Sequence, residues 1–150
     1  MFISKIIMEP LPNIHLLGML TMVATLAFGK KALYPIYLNT FLNGIYAGFS
    51  FWWIPYLYIW TVLWAVTLLL PKNMSKRTAS VVYPIVCALH GLFYGVLYAP
   101  SQALIFGYNF KQTIAWIIAG LPWDLIHAAG NLALGLLVYQ LALLLKKITK

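Results

Sequence analysis

Three polar side chains share one face of an otherwise apolar stretch near the C-terminus. Asp124, His127 and Asn131 are spaced i, i+3 and i+7, the spacing of one helical face. Asp124 is the only acid inside an apolar segment. Ionisable groups at membrane depth are costly and normally face a bundle interior or an aqueous cavity. We therefore predict that these three residues bind a small molecule. Helix capping by Asp124 and interhelical hydrogen bonds from the other two remain open as an alternative.

Other residues could complete such a site. Trp60 lies within an apolar run, and flat heterocycles bind well between aromatic faces. Tyr56 lies near Trp52 and Trp53, a group that could equally form an aromatic belt at the membrane interface. The predicted substrate-binding set is completed by two residues expected at the outer side, His15 and Gln102. Polar residues interpreted as contacts between helices, with a ligand role as the alternative, are Asn39, Asn43 and His90.

These residue types restrict the chemistry. The chain has no Gly-x-x-x-x-Gly-Lys-Ser/Thr phosphate loop, so we expect any energy from ATP to come from a partner. No two histidines have helical metal-ligand spacing, so we expect no metal and no cofactor, with metal uptake as a weak alternative. Asp124 lacks a second carboxylate for acid–base work, and we expect no catalytic residue. Aromatic walls with one acid, a histidine and an asparagine favour a flat, hydrogen-bonding substrate with a cationic or protonated donor.

Composition indicates where this site must lie. Of 150 residues, 63% are hydrophobic and 8% are charged, whereas soluble domains carry about 25% charged residues. This excludes a water-soluble enzyme, a disordered segment and a free nucleic-acid-binding domain, and predicts an integral membrane protein. The length fits a single membrane domain over 1–150. The lone cysteine, Cys87, excludes an internal disulfide and a cysteine-based zinc site.

Charged residues divide the chain into membrane-sized pieces. About 20 apolar residues cross a bilayer as a helix, and the charge-free runs predict an all-α bundle of five full transmembrane helices, near 13–29, 32–49, 53–70, 79–98 and 122–145. Pro100 and Gly107 are expected in a loop, and Pro122 at the start of the last helix. Residues 1–9 are too short to cross and lack the features of a signal peptide. We expect them to be the stub of a sixth helix whose beginning is missing.

The basic residues predict the orientation. If the first full span runs inward, every basic residue except Lys5 and Lys111 is cytoplasmic, as the positive-inside bias requires. The formal net charge of +8 is then a topology signal rather than a sign of nucleic acid. The Lys146–Lys150 tail is predicted to be cytoplasmic. Counting back from Lys146, Asp124 lies about 33 Å away along a helix, near the outer edge of the membrane.

Several stretches together resemble a known family. They are LPNIHLLGML at 11–20, KKALYPIY at 30–37, WWIPYLYIWTVLW at 52–64, CALHG at 87–91 and, most distinctively, GLPWDLIHAAGN at 120–131. Over about residues 1–146 the chain resembles the substrate-binding S components of energy-coupling-factor (ECF) transporters, in a bacterial branch whose substrate is generally unassigned.

The resemblance implies a six-helix protein of the bacterial cell membrane that captures a micronutrient, usually a vitamin, on the outer side. It also implies partners, namely a membrane coupling subunit and two cytoplasmic ATPase subunits. The chain departs from the family at its start. The family's first helix carries small residues at four-residue spacing, and residues 1–9 hold no such motif.

Two other classes of function stay open on the sequence. A small membrane enzyme could use Asp124 and His127 as an acid–base pair on lipid, and such a pair should open sideways to the headgroup layer. A structural or regulatory membrane subunit would have no ligand. Its helices would pack without a cavity around Trp60 and His127.

Overall fold

The computed structural model describes residues 1–11 and 13–149, and over these residues the chain forms helices and no strand. Pro12, within the stretch 11–20, and Lys150, in the basic tail, lie outside the described residues. The prediction of an all-α chain is confirmed. The helices are α1 (Phe2–Ile7), α2 (Leu17–Phe28), α3 (Leu33–Ala47), α4 (Tyr56–Leu69), α5 (Lys76–Leu92), α6 (Tyr94–Phe106), α7 (Phe110–Gly135) and α8 (Val138–Ile148).

Within the described residues, three helical segments are long and apolar enough to cross a membrane. They are Phe51–Leu69, which joins a short 3₁₀ turn to α4, then Lys76–Phe106, which joins α5 to α6, and α7. Helix α2 has 12 residues and α3 has 15, lengths of about 18 and 23 Å at 1.5 Å per residue. The fold is therefore compatible with membrane residence. The arrangement of five full spans stays a prediction.

Two prolines that were expected to delimit helices lie inside them. Pro100 is an interior residue of α6, and Pro122 is an interior residue of α7. The expected loop is reduced to residues 107–109, and Gln102 belongs to α6 rather than to an outer loop. A bundle in a membrane tolerates such prolines because neighbouring groups satisfy the freed backbone.

The turn at 107–109 carries the signals that end one helix and begin the next. Gly107 ends α6 in the left-handed region, at φ 68°, which glycine adopts without a steric cost. Asn109 then caps α7: its side chain accepts from the Gln112 amide, and the Gln112 side chain accepts from the Asn109 amide. Local capping thus overrides Pro122 as the start of this helix.

The last predicted span is likewise not one helix. Helix α7 ends at Gly135, and α8 starts at Val138 after a tighter turn in which the Leu136 and Leu137 amides donate to carbonyls three residues back. Asp124 is therefore a mid-helix residue, 14 positions after Phe110, rather than the first polar residue of a span.

Apolar side chains fill one end of the bundle. A buried cluster joins Met22 of α2, Leu63 of α4, Cys87 of α5 and Val138 of α8. Residues at the helix ends that pack on this cluster are Leu26, Leu70, Met74 and Leu145. The basic groups that follow or flank those ends, Lys30–Lys31, Lys72–Arg77 and Lys146–Lys147, consequently gather beyond the same end of the bundle.

Helices α5 and α7 pack closely because glycines line their contact. A Cβ placed on Gly135 would lie 2.6 Å from Cα of Pro84, and one on Gly91 would lie 2.9 Å from the His127 carbonyl carbon. Small residues of this kind let the backbones of membrane helices approach. The approach brings His127 and Asn131 of α7 against α5.

Two Gly→Ala substitutions on the same helix test this packing. Gly135→Ala forces the backbone at Pro84 to shift, and we expect a loss of about 1–3 kcal/mol in the free energy of unfolding. Gly120→Ala meets nothing within 4 Å and should be neutral or stabilising by up to about 1 kcal/mol. Thermal or denaturant unfolding in detergent measures both. Equal stability of the two variants would contradict the close contact.

Candidate ligand-binding site

A cavity of about 190 Å³ opens at the end of the bundle opposite the apolar cluster. Its walls come from the start of α2, the start of α4, α6 and the middle of α7. The lining residues are Asn13, His15, Trp52, Tyr56, Tyr94, Tyr98 and His127. Four of the seven are tyrosine or tryptophan, so the cavity offers flat apolar faces with polar atoms at their edges.

Trp60 stands at the centre of the aromatic rings around this cavity. Its ring centroid lies 5.8 Å from that of His15, 5.9 Å from Tyr56 and 5.5 Å from His90. The side chain is 1% exposed and does not itself line the cavity. Trp60 therefore supports the rings that do, and fixes their separation.

Two histidines from distant parts of the sequence meet at the cavity wall. The ring centroids of His15 and His127 are 4.7 Å apart at an interplanar angle of 75°. Tyr94 lies 4.8 Å from His127 on the other side. The edge-to-face arrangement of the two histidines is a favourable one for such rings.

Several buried nitrogens around the cavity have no hydrogen-bond partner in the described part of the chain. They are Nδ1 of His15, Nε1 of Trp60, Nδ1 of His90 and Nε2 of His127. His90 Nε2 lies 3.1 Å from the Ile59 carbonyl oxygen, which fixes its ring and leaves only Nδ1 without a partner. Leaving a buried polar group unpaired costs about 1–3 kcal/mol. Among the described residues, the other buried side-chain atoms without a partner are Oδ1 of Asn39 and of Asn43 on α3.

Asp124 is directed elsewhere. Both of its carboxylate oxygens accept from the backbone amide of Gly95, at 3.2 and 3.1 Å. Gly95 is the second residue of α6, and the first amides of a helix have no partner within it. Asp124 therefore acts as an N-terminal cap supplied by another helix, and it does not line the cavity. The alternative role of Asp124 as a helix cap is therefore seen in the structure, although Asp124 caps α6 rather than the start of its own helix.

Asn131 is also used in packing. Its amide nitrogen donates to the Cys87 carbonyl at 3.1 Å. A Cβ on Gly18 would lie 3.1 Å from its amide group, and one on Gly91 would lie 2.9 Å from it. Asn131 thus joins α2, α5 and α7 below the cavity. The structure brings His127 to the cavity from the predicted polar face and leaves Asp124 and Asn131 in its supporting frame.

The remaining predicted residues separate in the same way. His15 and Tyr56 line the cavity, Trp60 underlies it, and Gln102 does not reach it. Asn39 and Asn43 are buried on α3, where the Asn43 amide donates to the Asn39 carbonyl at 2.7 Å.

Several lining residues were not among those predicted from the sequence. Tyr94 and Tyr98 follow His90 at i+4 and i+8, a spacing that sets all three on one face of the α5–α6 segment. That spacing is a signal which could have indicated a polar aromatic stripe. Trp52 was interpreted as an interfacial belt residue, and Asn13, at φ 56°, carries no sequence signal that separates it from a turn.

Lys5 covers two of the cavity's rings. Its Nζ lies 5.3 Å from the ring centroid of Trp52 and 5.5 Å from that of Tyr56, within the range of a cation–π contact. Partial burial lowers the pKa of Lys5, and the negative charge of Glu9 raises it. Glu9 is exposed, and its Oε2 lies 3.4 Å from the Tyr46 hydroxyl. A basic group thus stands at the aromatic wall.

None of the protein-family models, curated proteins or solved structures compared with the chain matches it.

The contact between the Asp124 carboxylate and the Gly95 amide can be tested by substitution. Asp124→Ala leaves the Gly95 amide buried without an acceptor, and we expect it to lower the free energy of unfolding by about 1–3 kcal/mol. Asp124→Asn retains one acceptor oxygen and should cost less. Thermal unfolding in detergent orders the three proteins. A fully stable Asp124→Ala protein that has lost ligand binding would contradict the capping role and indicate that Asp124 binds the ligand.

Proposed function

We propose that this chain is the membrane-embedded substrate-binding subunit of an ECF-type micronutrient transporter. It would capture a small, vitamin-like molecule in the cavity between α2, α4, α6 and α7. A membrane coupling subunit and two cytoplasmic ATPases would supply the energy for its release, a step that rests on the family resemblance alone. The observation that carries the proposal is a polar, aromatic cavity next to buried nitrogens that lack partners.

The location of the cavity supports the proposal. It lies at the N-terminal ends of α2 and α4, which the charge distribution predicts to be the outer ends. The basic segments gather at the opposite end, beyond the apolar cluster. A cavity open to the outside and closed by apolar packing on the inside suits a protein that captures a molecule before it moves.

The lipid enzyme receives less support from the same geometry. Asp124 and His127 were its acid–base pair, but the Asp124 carboxylate is engaged by Gly95, and His127 faces His15 and Tyr94. A general base must reach the proton that it removes. A structural subunit receives less support as well, because a cavity is present beside Trp60 and His127.

Co-purification tests the binding role. We expect the purified protein to retain a planar heterocyclic molecule that mass spectrometry identifies after extraction. His127→Ala, which removes a cavity wall, should reduce the retained amount about tenfold or more, since a lost buried hydrogen bond costs about 1–3 kcal/mol. The control is Tyr34→Phe, at a tyrosine that is 78% exposed on α3. A wild-type protein that retains nothing, and is not stabilised by any of a panel of vitamins, would contradict the binding role.

Single cysteines test the five-span arrangement. Cys87 is fully buried, so the wild-type protein should label little. With a membrane-impermeant maleimide on intact cells, we expect Lys111→Cys to be labelled from outside. Asn73→Cys and Thr149→Cys should be labelled only after the membrane is opened. Labelling of positions 73 and 149 from opposite sides would contradict the predicted number of spans between them.

A further inference from the structure

A basic group contacts two of the cavity's walls, and no carboxylate is among its lining residues in the described part of the chain. The chain contains two acids. Asp124 is held by the Gly95 amide, Glu9 is exposed near Tyr46 and acts on the charge of Lys5 from there, and neither acid lines the cavity. Lys5 is the charged group that contacts its walls, through the rings of Trp52 and Tyr56. A cation that entered would therefore meet a like charge and no carboxylate.

The volume limits the size of the occupant. A cavity of about 150 Å³ holds benzene, and this one measures about 190 Å³. One aromatic ring with a short substituent fits such a space. The ring would lie beside the side chains of Tyr94 and Tyr98, and His15 and His127, each with one buried ring nitrogen that lacks a partner, line the same space.

From this geometry, and resting on the proposed binding function, we propose that the cavity takes a planar aromatic anion. Its ring would lie between the tyrosine and histidine side chains, and its anionic group would lie beside the Lys5 ammonium. An anion brought into a low-dielectric site needs a charged partner to offset its lost hydration. Lys5 provides that partner from α1, at the rim of the aromatic wall. This differs from the expectation of a cationic or protonated donor on the substrate, which depended on Asp124 lining the site.

Three ring compounds of nearly equal shape test the charge preference. They are pyridine-3-carboxylate, its neutral amide and the cationic 3-(aminomethyl)pyridine, each titrated calorimetrically into the full-length protein in detergent after removal of any retained molecule. We expect the carboxylate to bind about tenfold or more tightly than the amide, because charge-assisted hydrogen bonds are roughly twice as strong as neutral ones. The cation should bind most weakly.

Variants at Lys5 separate its charge from its packing. Lys5→Met keeps an unbranched apolar side chain against Trp52 and Tyr56, and it should bring the carboxylate-to-amide ratio close to one. Lys5→Arg should keep the preference. Lys111→Met, which removes an exposed lysine at the start of α7, should leave the ratio unchanged.

The outcomes distinguish this inference from the function on which it rests. Equal or tighter binding of the amide or the cation would overturn the anion preference and leave a binding subunit in place. An unchanged ratio in Lys5→Met would overturn the role of Lys5. Failure of all three compounds to bind at millimolar concentration would overturn the one-ring anion. The co-purification result would then decide the binding function separately.

Discussion

The contact between the Asp124 carboxylate and the Gly95 amide is the interaction on which the arrangement of this end of the bundle depends. Helix α5 ends at Leu92 and α6 begins at Tyr94, and the amide of Gly95, freed by that break and buried, needs an acceptor. Asp124 provides it from α7, in the part of the helix that also carries His127. A carboxylate at a helix N-terminus is additionally favoured by the helix dipole. One side chain thus joins two helices and sets Tyr94 opposite His127.

The same contact explains why polar residues gather at one end of an apolar molecule. Beyond it, towards the basic end, Asn131 bonds to the Cys87 carbonyl, and below that lies the cluster around Met22 and Leu63, which is built mainly of apolar side chains. Buried threonines of the apolar half, Thr25 and Thr67, donate to backbone carbonyls of their own helices. The polar groups of the aromatic half, at His15, Trp60, His90 and His127, keep a nitrogen without a partner. The two halves differ in what they leave unsatisfied, and that difference supports a binding role for the aromatic half.

Features that depend on residues close together in the sequence were predicted better than contacts between residues far apart in it. Hydrophobic runs and a shared helical face are local patterns, and they correctly indicated helices and set His127 and Asn131 on one side of α7. The ends of the helices were harder to predict. Pro100 and Pro122 lie inside helices because contacts with neighbouring groups, which the sequence does not reveal, satisfy the freed backbone. The partner of Asp124 was not predictable, since it is a backbone amide 29 positions away, exposed only because α5 and α6 break at Phe93. The lone acid in an apolar stretch therefore indicated a buried polar contact, but the sequence did not show that the partner of Asp124 is a backbone amide.

A cavity with unpaired polar atoms around it lowers the stability of the fold until those atoms gain partners. The unpaired nitrogens around Trp60 each cost about 1–3 kcal/mol unless water or a ligand bonds to them. A ligand that supplies acceptors and donors at those atoms recovers that cost, whereas apolar packing would have removed it permanently. The rigid frame from Asp124, Gly91 and Asn131 keeps the rings apart, so the space cannot close by collapse. Since the frame uses the acidic group and leaves Lys5 at the aromatic wall, the electrostatics of the cavity follow from how the helices are held together.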